Sequence, residues 1–113
     1  MTQVKEQLGI EVEKWVITGD SAGGHLSVSV AFVAMLRGFR LPDGIFSHYP
    51  VYVLDLMRFT PSMLMSIDEE VVNAAFLNFS RACFGRKGGN ADRSCIMSPL
   101  LAPNSMLLAL PPV

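Results

Sequence analysis

The sequence predicts an α/β fold in which parallel strands are joined by crossover helices. Trp15 to Thr18 form an unbroken run of β-formers, which is typical of a strand buried on both faces. An apolar segment with helical spacing follows from Ala22 to Leu36, and a second β-like run, "GIFSHYPVYV", begins at Gly44. Strand, helix and strand in this order form a βαβ unit, whose crossover should be right-handed.

Length and composition indicate one domain at most, with a packed interior. The chain has 113 residues, of which 50% are hydrophobic and 17% are charged, and these proportions exclude a disordered chain. Acidic and basic residues are mixed along the chain and give a formal net charge of −1, so we expect no nucleic-acid partner. The longest nearly apolar stretch, Leu26 to Leu36, is shorter than the ~20 residues of a transmembrane helix. With no export signal visible, the expected location is cytoplasmic.

The elements before the second strand have clear boundaries. Thr2 to Leu8 is compatible with a helix, and Gly9 is well placed to end it in the left-handed conformation. The first strand should stop at Gly19. The helix from Ala22 to Leu36 is expected to be buried nearly all round and closed by "RGFR", where a glycine follows its last turn.

The elements after the second strand are predicted from prolines and capping residues. Pro50 should mark the end of that strand, because proline cannot donate to a sheet ladder. Pro61 should start a short helix, and Asp68 should cap a longer one that ends at Gly85. Further on, "SPLLAP" is expected to be extended, "SMLLAL" to form one or two helical turns, and "LPPV" to be the start of a further strand.

Neither a metal site nor a cofactor is expected from the sequence. Cys83 and Cys95 are not in a CxxC pattern and have no histidine ligand near them, so the simplest interpretation is two buried thiols. The downstream acids Asp68, Glu69 and Glu70 suit the first turn of a helix. The methionines are interpreted as core filler, although a flexible apolar surface for acyl chains is the alternative.

A nucleophile elbow is the strongest chemical signal in the sequence. Gly19, Ser21 and Gly23 satisfy G-x-S-x-G between a predicted strand and a predicted helix. Ser21 should adopt a positive φ, and side chains at positions 19 and 23 would collide with the neighbouring strand and helix. At such an elbow the N–H of Ala22 would be one oxyanion-hole donor, assisted by the positive end of the helix.

Two structural interpretations compete with the elbow. Ser21 could be the N-cap of the helix, a role that serine fills without any chemistry. The helix N-terminus could instead bind a phosphate, but the glycine spacing of a dinucleotide fold and the lysine of a P-loop are both missing.

The stretches "GDSAGG", "PDGIFSHYPV" and "MSPLLAPNSMLLALPPV" together resemble the hormone-sensitive lipase family of α/β hydrolases. The resemblance runs from Trp15 onward and is weakest between Val53 and Asn90. It implies an α/β-hydrolase fold with Ser21 as the nucleophile, Ala22 as an oxyanion donor, and Asp20 as the variable residue of the pentapeptide. It also implies a small ester or an acylglycerol as substrate.

The same resemblance implies that residues 1–113 are the central part of a catalytic domain, truncated at both ends. The family carries an "HGGG"-type motif before the elbow and a triad Asp and His after it, and none of these is present here. His25 should point along the helix flank rather than over Ser21. His48 is expected near the carboxyl edge of the second strand, with a hydrogen-bonding role favoured over catalysis.

Two functions therefore remain open. One is a serine ester hydrolase, of the carboxylesterase or lipase type, that forms an acyl-enzyme at Ser21 and obtains its base and acid from the remaining parts of the hydrolase domain. The other is a truncated or degenerate chain, or a binding module, that has lost the triad. In either case the free chain is expected to associate, because its strand edges and apolar helix would be uncovered.

Overall fold

The fold is organised by a βαβ unit. The computed structural model describes residues 6–53, 61–65, 70, 73–84 and 94–113. Strand β1 spans Val16–Asp20, helix α1 spans Ala22–Leu36, and strand β2 spans Gly44–His48. The strands pair in parallel, with Val16 opposite Gly44 and Asp20 opposite His48. The predicted α/β class and the parallel βαβ order are confirmed.

Helix α1 has the bounds that the sequence predicts. Gly38 follows its last turn with φ 67°, and a backbone bond of 2.8 Å runs from the N–H of Phe39 to the carbonyl of Ala34. A second bond of 3.2 Å joins the N–H of Gly38 to the carbonyl of Met35, which completes a Schellman motif. Gly9 likewise has φ 66° after the helical residues 6–8, as expected.

The burial of the βαβ unit is one-sided, which corrects two expectations. β1 is not buried on both faces, because Val16 is 61% exposed and alternate residues of the strand face solvent. α1 is not buried all round either, since Leu26, Val30 and Leu36 are each about half exposed or more. The described residues cover only the face of the sheet that packs on α1.

The core lies between that face of the sheet, α1 and the C-terminal segment. Phe32 of α1 is completely buried, and Ile45 of β2 is 4% exposed. The buried apolar residues of the described chain are Val28, Ala31, Phe32, Ile45 and Ala102. Met106 packs against this cluster as core filler, whereas Met65 is 89% exposed.

Among the described residues after β2, the chain forms three further helices and one 3₁₀ turn. Helix α2 spans Pro61–Met65, helix α3 spans Ala74–Phe84, and helix α4 spans Asn104–Leu108. The start of α2 at Pro61 and the helical turns of "SMLLAL" are confirmed. The expectation of extended chain in "SPLLAP" is wrong, because Pro99–Leu101 is a 3₁₀ helix that begins at the proline.

Helix α3 begins later than predicted. Glu70 lies in a bend and Asn73 is outside the helix, so the start near Asp68 is wrong. Asn73 supplies the cap instead, since its Oδ1 accepts a hydrogen bond of 2.9 Å from the N–H of Phe76. Asp68, Glu69 and Gly85 lie outside the described residues.

The C-terminal residues run beside β2 without forming a strand. The N–H of Ile45 donates a 2.8 Å hydrogen bond to the carbonyl of Pro112. Because neighbouring N–H groups of a strand point to alternate sides, this bond lies on the edge of β2 that faces away from β1. The two thiols are free, and Cys83 is exposed, so its assignment as a buried thiol is wrong, while Cys95 packs partly buried against the core.

Candidate active site

A one-residue turn at Ser21 connects β1 to α1. β1 continues through Gly19 to Asp20, one residue past the predicted stop, and α1 begins at Ala22. Ser21 itself has φ 50° and ψ −115°, a conformation that side-chain-bearing residues rarely adopt. The residue is exposed. The chain therefore bends sharply at the serine, at the carboxyl end of the strand.

Two backbone hydrogen bonds hold the turn. The N–H of Ser21 donates to the carbonyl of His48, the last residue of β2, over 3.0 Å. The carbonyl of Ser21 accepts from the N–H of His25 over 3.1 Å, which is the first bond of the α1 ladder. Both strands and the helix thus fix the serine backbone.

Gly19 is required by the close approach of α1 to β1. A Cβ built at this position would lie 2.4 Å from both the carbonyl carbon and the oxygen of Gly23. The expectation that position 19 must lack a side chain therefore agrees with the geometry. The expected collision at Gly23 does not occur, because a Cβ there meets no described atom within 4 Å apart from its chain neighbours and the adjacent backbone of its own helix.

Gly24 is the second constrained glycine, and sequence reasoning missed it. A Cβ on Gly24 would lie 2.7 Å from Oγ of Ser47 and 3.0 Å from the carbonyl oxygen of His48. The doubled glycine in "SAGGH" was the available signal. In this turn the second glycine of the pair, rather than the first, allows α1 to contact β2.

The turn also separates the elbow interpretation from the capping one. Ser21 occupies the N-cap position of α1, but its side chain makes no capping hydrogen bond, so the side-chain role that the N-cap interpretation assigns to the serine is not observed. Ala22 is the first residue of α1, and the first N–H groups of a helix have no partner within it. An anion formed beside Ser21 would meet that N–H and the positive end of the helix.

The two histidines occupy different environments near the turn. His25 is 6% exposed on the inner face of α1, and its Nδ1 lies 2.6 Å from the carbonyl oxygen of Val51. Because a carbonyl only accepts, Nδ1 carries the proton in this contact. His48 ends β2 and is exposed, and its ring contacts Phe46 edge-on with 4.5 Å between centroids.

The described acids do not cluster at Ser21. Asp20 ends β1 and is exposed, while Asp43 precedes β2 at the opposite end of the strands. The pKa of Asp43 is lowered by the hydrogen bond from the Trp15 N–H and by the Arg40 guanidinium. Within the described ranges, no three His, Cys, Asp or Glu side chains are grouped to hold a metal ion.

A second positive φ lies beside the first. Tyr49, directly after β2, has φ 35° and is 74% exposed. Ser21 and Tyr49 each directly follow the last pair of the parallel register, Asp20 and His48, at the carboxyl ends of the two strands. Nothing in the sequence signalled this conformation, because proline follows Tyr49 and favours an extended backbone before it.

The chain matches known sequences over different spans. A family model for the alpha/beta hydrolase fold matches residues 1–113. Hormone-sensitive lipase of Mus musculus is 38% identical over 71 residues, which are 63% of this chain and 9% of that protein. The Homo sapiens protein is also 38% identical over 71 residues, and the chain covers 6% of its length.

Solved esterases share the fold of this chain. Carboxyl esterase 2 of Tuber melanosporum superposes with a TM-score of 0.82 at 24% identity, covering 96% of this chain and 35% of that one. An esterase of Rhizomucor miehei superposes with a TM-score of 0.79 at 25% identity, covering 98% of this chain and 33% of that one. The chain therefore spans about a third of these structures. None of the helices in the described ranges is long and apolar enough to cross a membrane.

Proposed function

Because the family model covers all of residues 1–113, the chain belongs to the alpha/beta hydrolase family, and we propose that it carries the nucleophile of a serine ester hydrolase. The likeness to hormone-sensitive lipase and the esterase folds favours carboxylic esters, with small esters or acylglycerols as the substrate class. The observation that carries the proposal is the exposed Ser21, held at φ 50° between β1 and α1.

In this mechanism Oγ of Ser21 attacks the ester carbonyl carbon. The carbonyl oxygen becomes an oxyanion, and the N–H of Ala22 donates to it together with the positive end of α1. The intermediate collapses to an acyl-enzyme with release of the alcohol, and water then releases the acid and regenerates Ser21. Gly19 and Gly24 contribute by allowing the close packing that fixes the serine backbone.

The serine requires a base, and we infer that the base and its orienting acid come from other parts of a hydrolase domain. Nδ1 of His25 is bonded to the Val51 carbonyl, and the His48 ring packs on Phe46. Neither arrangement includes the carboxylate that orients a triad histidine. Residues 1–113 are accordingly proposed to be the central, nucleophile-bearing part of the catalytic domain.

Active-site labelling tests the proposal. The protein is expressed as its gene encodes it and treated with a fluorophosphonate, and hydrolysis of p-nitrophenyl butyrate is followed in parallel. Ser21→Ala should abolish labelling and lower kcat/KM by about a thousandfold or more, because the covalent step is lost. Ser105→Ala, an exposed serine of α4, is the matched control and should leave both unchanged.

The 113-residue chain alone provides a second comparison. It should neither label nor hydrolyse the ester, since Nδ1 of His25 is bonded to the Val51 carbonyl and the contacts of the exposed His48 ring among the described residues are aromatic. Strong labelling that disappears in Ser21→Ala would show that a working base lies within these residues. A folded gene product that fails to label would instead favour the non-catalytic, binding-module alternative.

A further inference from the structure

Tyr49 has a backbone conformation that its own sequence opposes. A positive φ is a genuine outlier for a bulky aromatic residue, and the following Pro50 favours an extended backbone at position 49. The residue nevertheless has φ 35°. Such strain persists only where the surrounding fold imposes it, and it concentrates at functional sites.

The peptide group that precedes the strained residue is hydrogen-bonded to the nucleophile turn. The carbonyl of His48, which forms the peptide bond to Tyr49, accepts the 3.0 Å hydrogen bond from the N–H of Ser21. The parallel register ends with the pair Asp20 and His48, and Ser21 and Tyr49 are the residues that follow this pair on the two strands. The two positive-φ residues of the described chain that are not glycine therefore lie side by side at the carboxyl edge of the sheet.

Within the described part of the chain, the side chain of Tyr49 is exposed. It is 74% exposed, and its ring lies 6.0 Å from the His48 ring, tilted by 54°. The aromatic body of a tyrosine offers apolar surface with few rotatable bonds, so it binds apolar groups at a low cost in conformational entropy. Tyr49 is not among the residues that pack against the apolar core of the described chain.

We propose that Tyr49 is a specificity-determining residue that packs its ring against the apolar acyl group of an ester bound at Ser21. The inference rests on the proposed function and adds a selectivity for esters with an extended apolar acyl chain over acetyl esters. The fold that imposes the positive φ at position 49 thereby holds the ring beside the reaction site before the substrate binds.

Glycine is the informative substitution, because it removes the ring and also accepts a positive φ without strain. In the protein as its gene encodes it, Tyr49→Gly should lower kcat/KM for p-nitrophenyl octanoate about tenfold, mainly through KM. The acetate ester should change by less than about twofold, and the urea unfolding midpoint should stay equal or rise. Tyr49→Phe keeps the ring and should match the wild type on both esters.

Phe39→Ala is the matched control, since Phe39 is 65% exposed but follows the far end of α1. It should leave unchanged the ratio of kcat/KM for the octanoate ester to kcat/KM for the acetate ester. An unchanged ratio in Tyr49→Gly would overturn the proposal. Equal losses on both esters together with a lowered unfolding midpoint would also overturn it, because they would indicate a purely structural residue.

Binding separates this inference from the proposed function. The ketone 2-nonanone resembles the octanoyl group and needs no catalysis, and its dissociation constant is measured by NMR titration. Tyr49→Gly should raise the dissociation constant of 2-nonanone about tenfold, whether or not Ser21 labels with the fluorophosphonate. Equal dissociation constants for wild type and variant would overturn the role of Tyr49, whereas missing Ser21 labelling would contradict only the catalytic role of the serine.

Discussion

The residues of the turn differ in how far the sequence could predict them. The G-x-S-x-G pattern predicted the positive φ of Ser21 and the need for glycine at position 19, because both follow from a strand that leads directly into a helix. It could not distinguish Gly23 from Gly24. Which of two adjacent helical glycines faces β2 depends on the rotation of α1, and only Gly24 meets Ser47 and His48.

Alanine at position 19 should therefore have a much larger effect than alanine at position 23. The new Cβ of Gly19→Ala would overlap the Gly23 carbonyl at 2.4 Å and push the first turn of α1 from β1. We expect a loss of about 1–3 kcal/mol in the free energy of unfolding and slower fluorophosphonate labelling of Ser21. Urea unfolding and the labelling rate measure the two effects.

Gly23→Ala is the matched control, because its Cβ meets no described atom within 4 Å and alanine favours helix. It should be neutral or stabilise by up to about 1 kcal/mol. Similar losses in both variants would contradict the assignment of the contact to Gly19.

At the level of the elements, local sequence patterns predicted where a helix begins and ends better than they predicted which of its faces are buried. The bounds of α1 follow from residues 21 to 38 alone, since a glycine begins the Schellman motif after its last turn. The orientation of its faces depends on what the helix contacts. Leu26 and Val30 recur at helical spacing but lie outward, while Ser27, Ser29 and His25 are buried among polar backbone partners.

Ser29 joins α1 to the turn before the 3₁₀ helix. Its Oγ lies 2.6 Å from the carbonyl of Ile96 and 3.1 Å from that of His25, and the residue is 4% exposed. Ser29→Ala would leave the Ile96 carbonyl without this donor and should cost about 1–2 kcal/mol in unfolding free energy. Urea denaturation monitored by circular dichroism measures the loss.

Ser27→Ala serves as the comparison, because Ser27 is also buried but donates within α1, to the Gly24 carbonyl at 2.7 Å. That carbonyl already takes part in the helix ladder, so the expected loss is below about 1 kcal/mol. A loss as large as that of Ser29→Ala would mean that the hydrogen bond from Ser29 to Ile96, which joins two elements, stabilises the fold no more than a hydrogen bond within α1.

Asp43 links the N-terminal ends of β1 and β2 through a hydrogen bond to Trp15. Its Oδ2 accepts from the N–H of Trp15 at 2.9 Å, and Arg40 approaches it at 3.1 Å while also donating to the Glu13 carbonyl. The Trp15 hydrogen bond, followed by Arg40, lowers the pKa of this carboxyl in the folded state. A lowered folded pKa contributes stability above the unfolded pKa and loses it as pH falls.

Asp43→Asn should consequently lower the unfolding midpoint at pH 7, and its difference from wild type should shrink as the pH falls below about 4. Urea titrations at pH 7, 5 and 3 measure this trend. Glu13→Gln removes a nearby charge but keeps the carbonyl that Arg40 binds, so its midpoint should stay close to wild type. A difference that grows toward pH 3 would contradict the sign of the Asp43 contribution.

For the whole molecule, the sequence predicted the βαβ unit and the serine turn but not the surfaces around them. Both predicted features are local, and each is specified by fewer than about 35 consecutive residues. The environment of Tyr49 and the outward faces of α1 and β1 depend on contacts between distant segments. The chain also spans only about a third of the esterases that share its fold, such as that of Rhizomucor miehei, at 33%.

An outward apolar stripe runs along α1. Leu26, Val30 and Leu36 are 50%, 49% and 61% exposed, and Val33 between them is partly buried. Removing such surface from water is favourable by roughly 25 cal/mol per Å², and contiguous apolar patches drive association. The 113-residue chain alone should therefore self-associate at micromolar concentrations.

Replacing Leu26, Val30 and Leu36 together by glutamine should weaken self-association at least about tenfold, as measured by sedimentation velocity across a concentration series. Leu8→Gln with Ile10→Gln changes two side chains that are also more than half exposed but lie before β1, and it should have a smaller effect. A wild-type chain that stays monomeric at 50 μM, on the order of ten times the expected threshold, would contradict the prediction. Equal effects of the two variants would mean that exposed apolar area in general, rather than the stripe on α1, drives association.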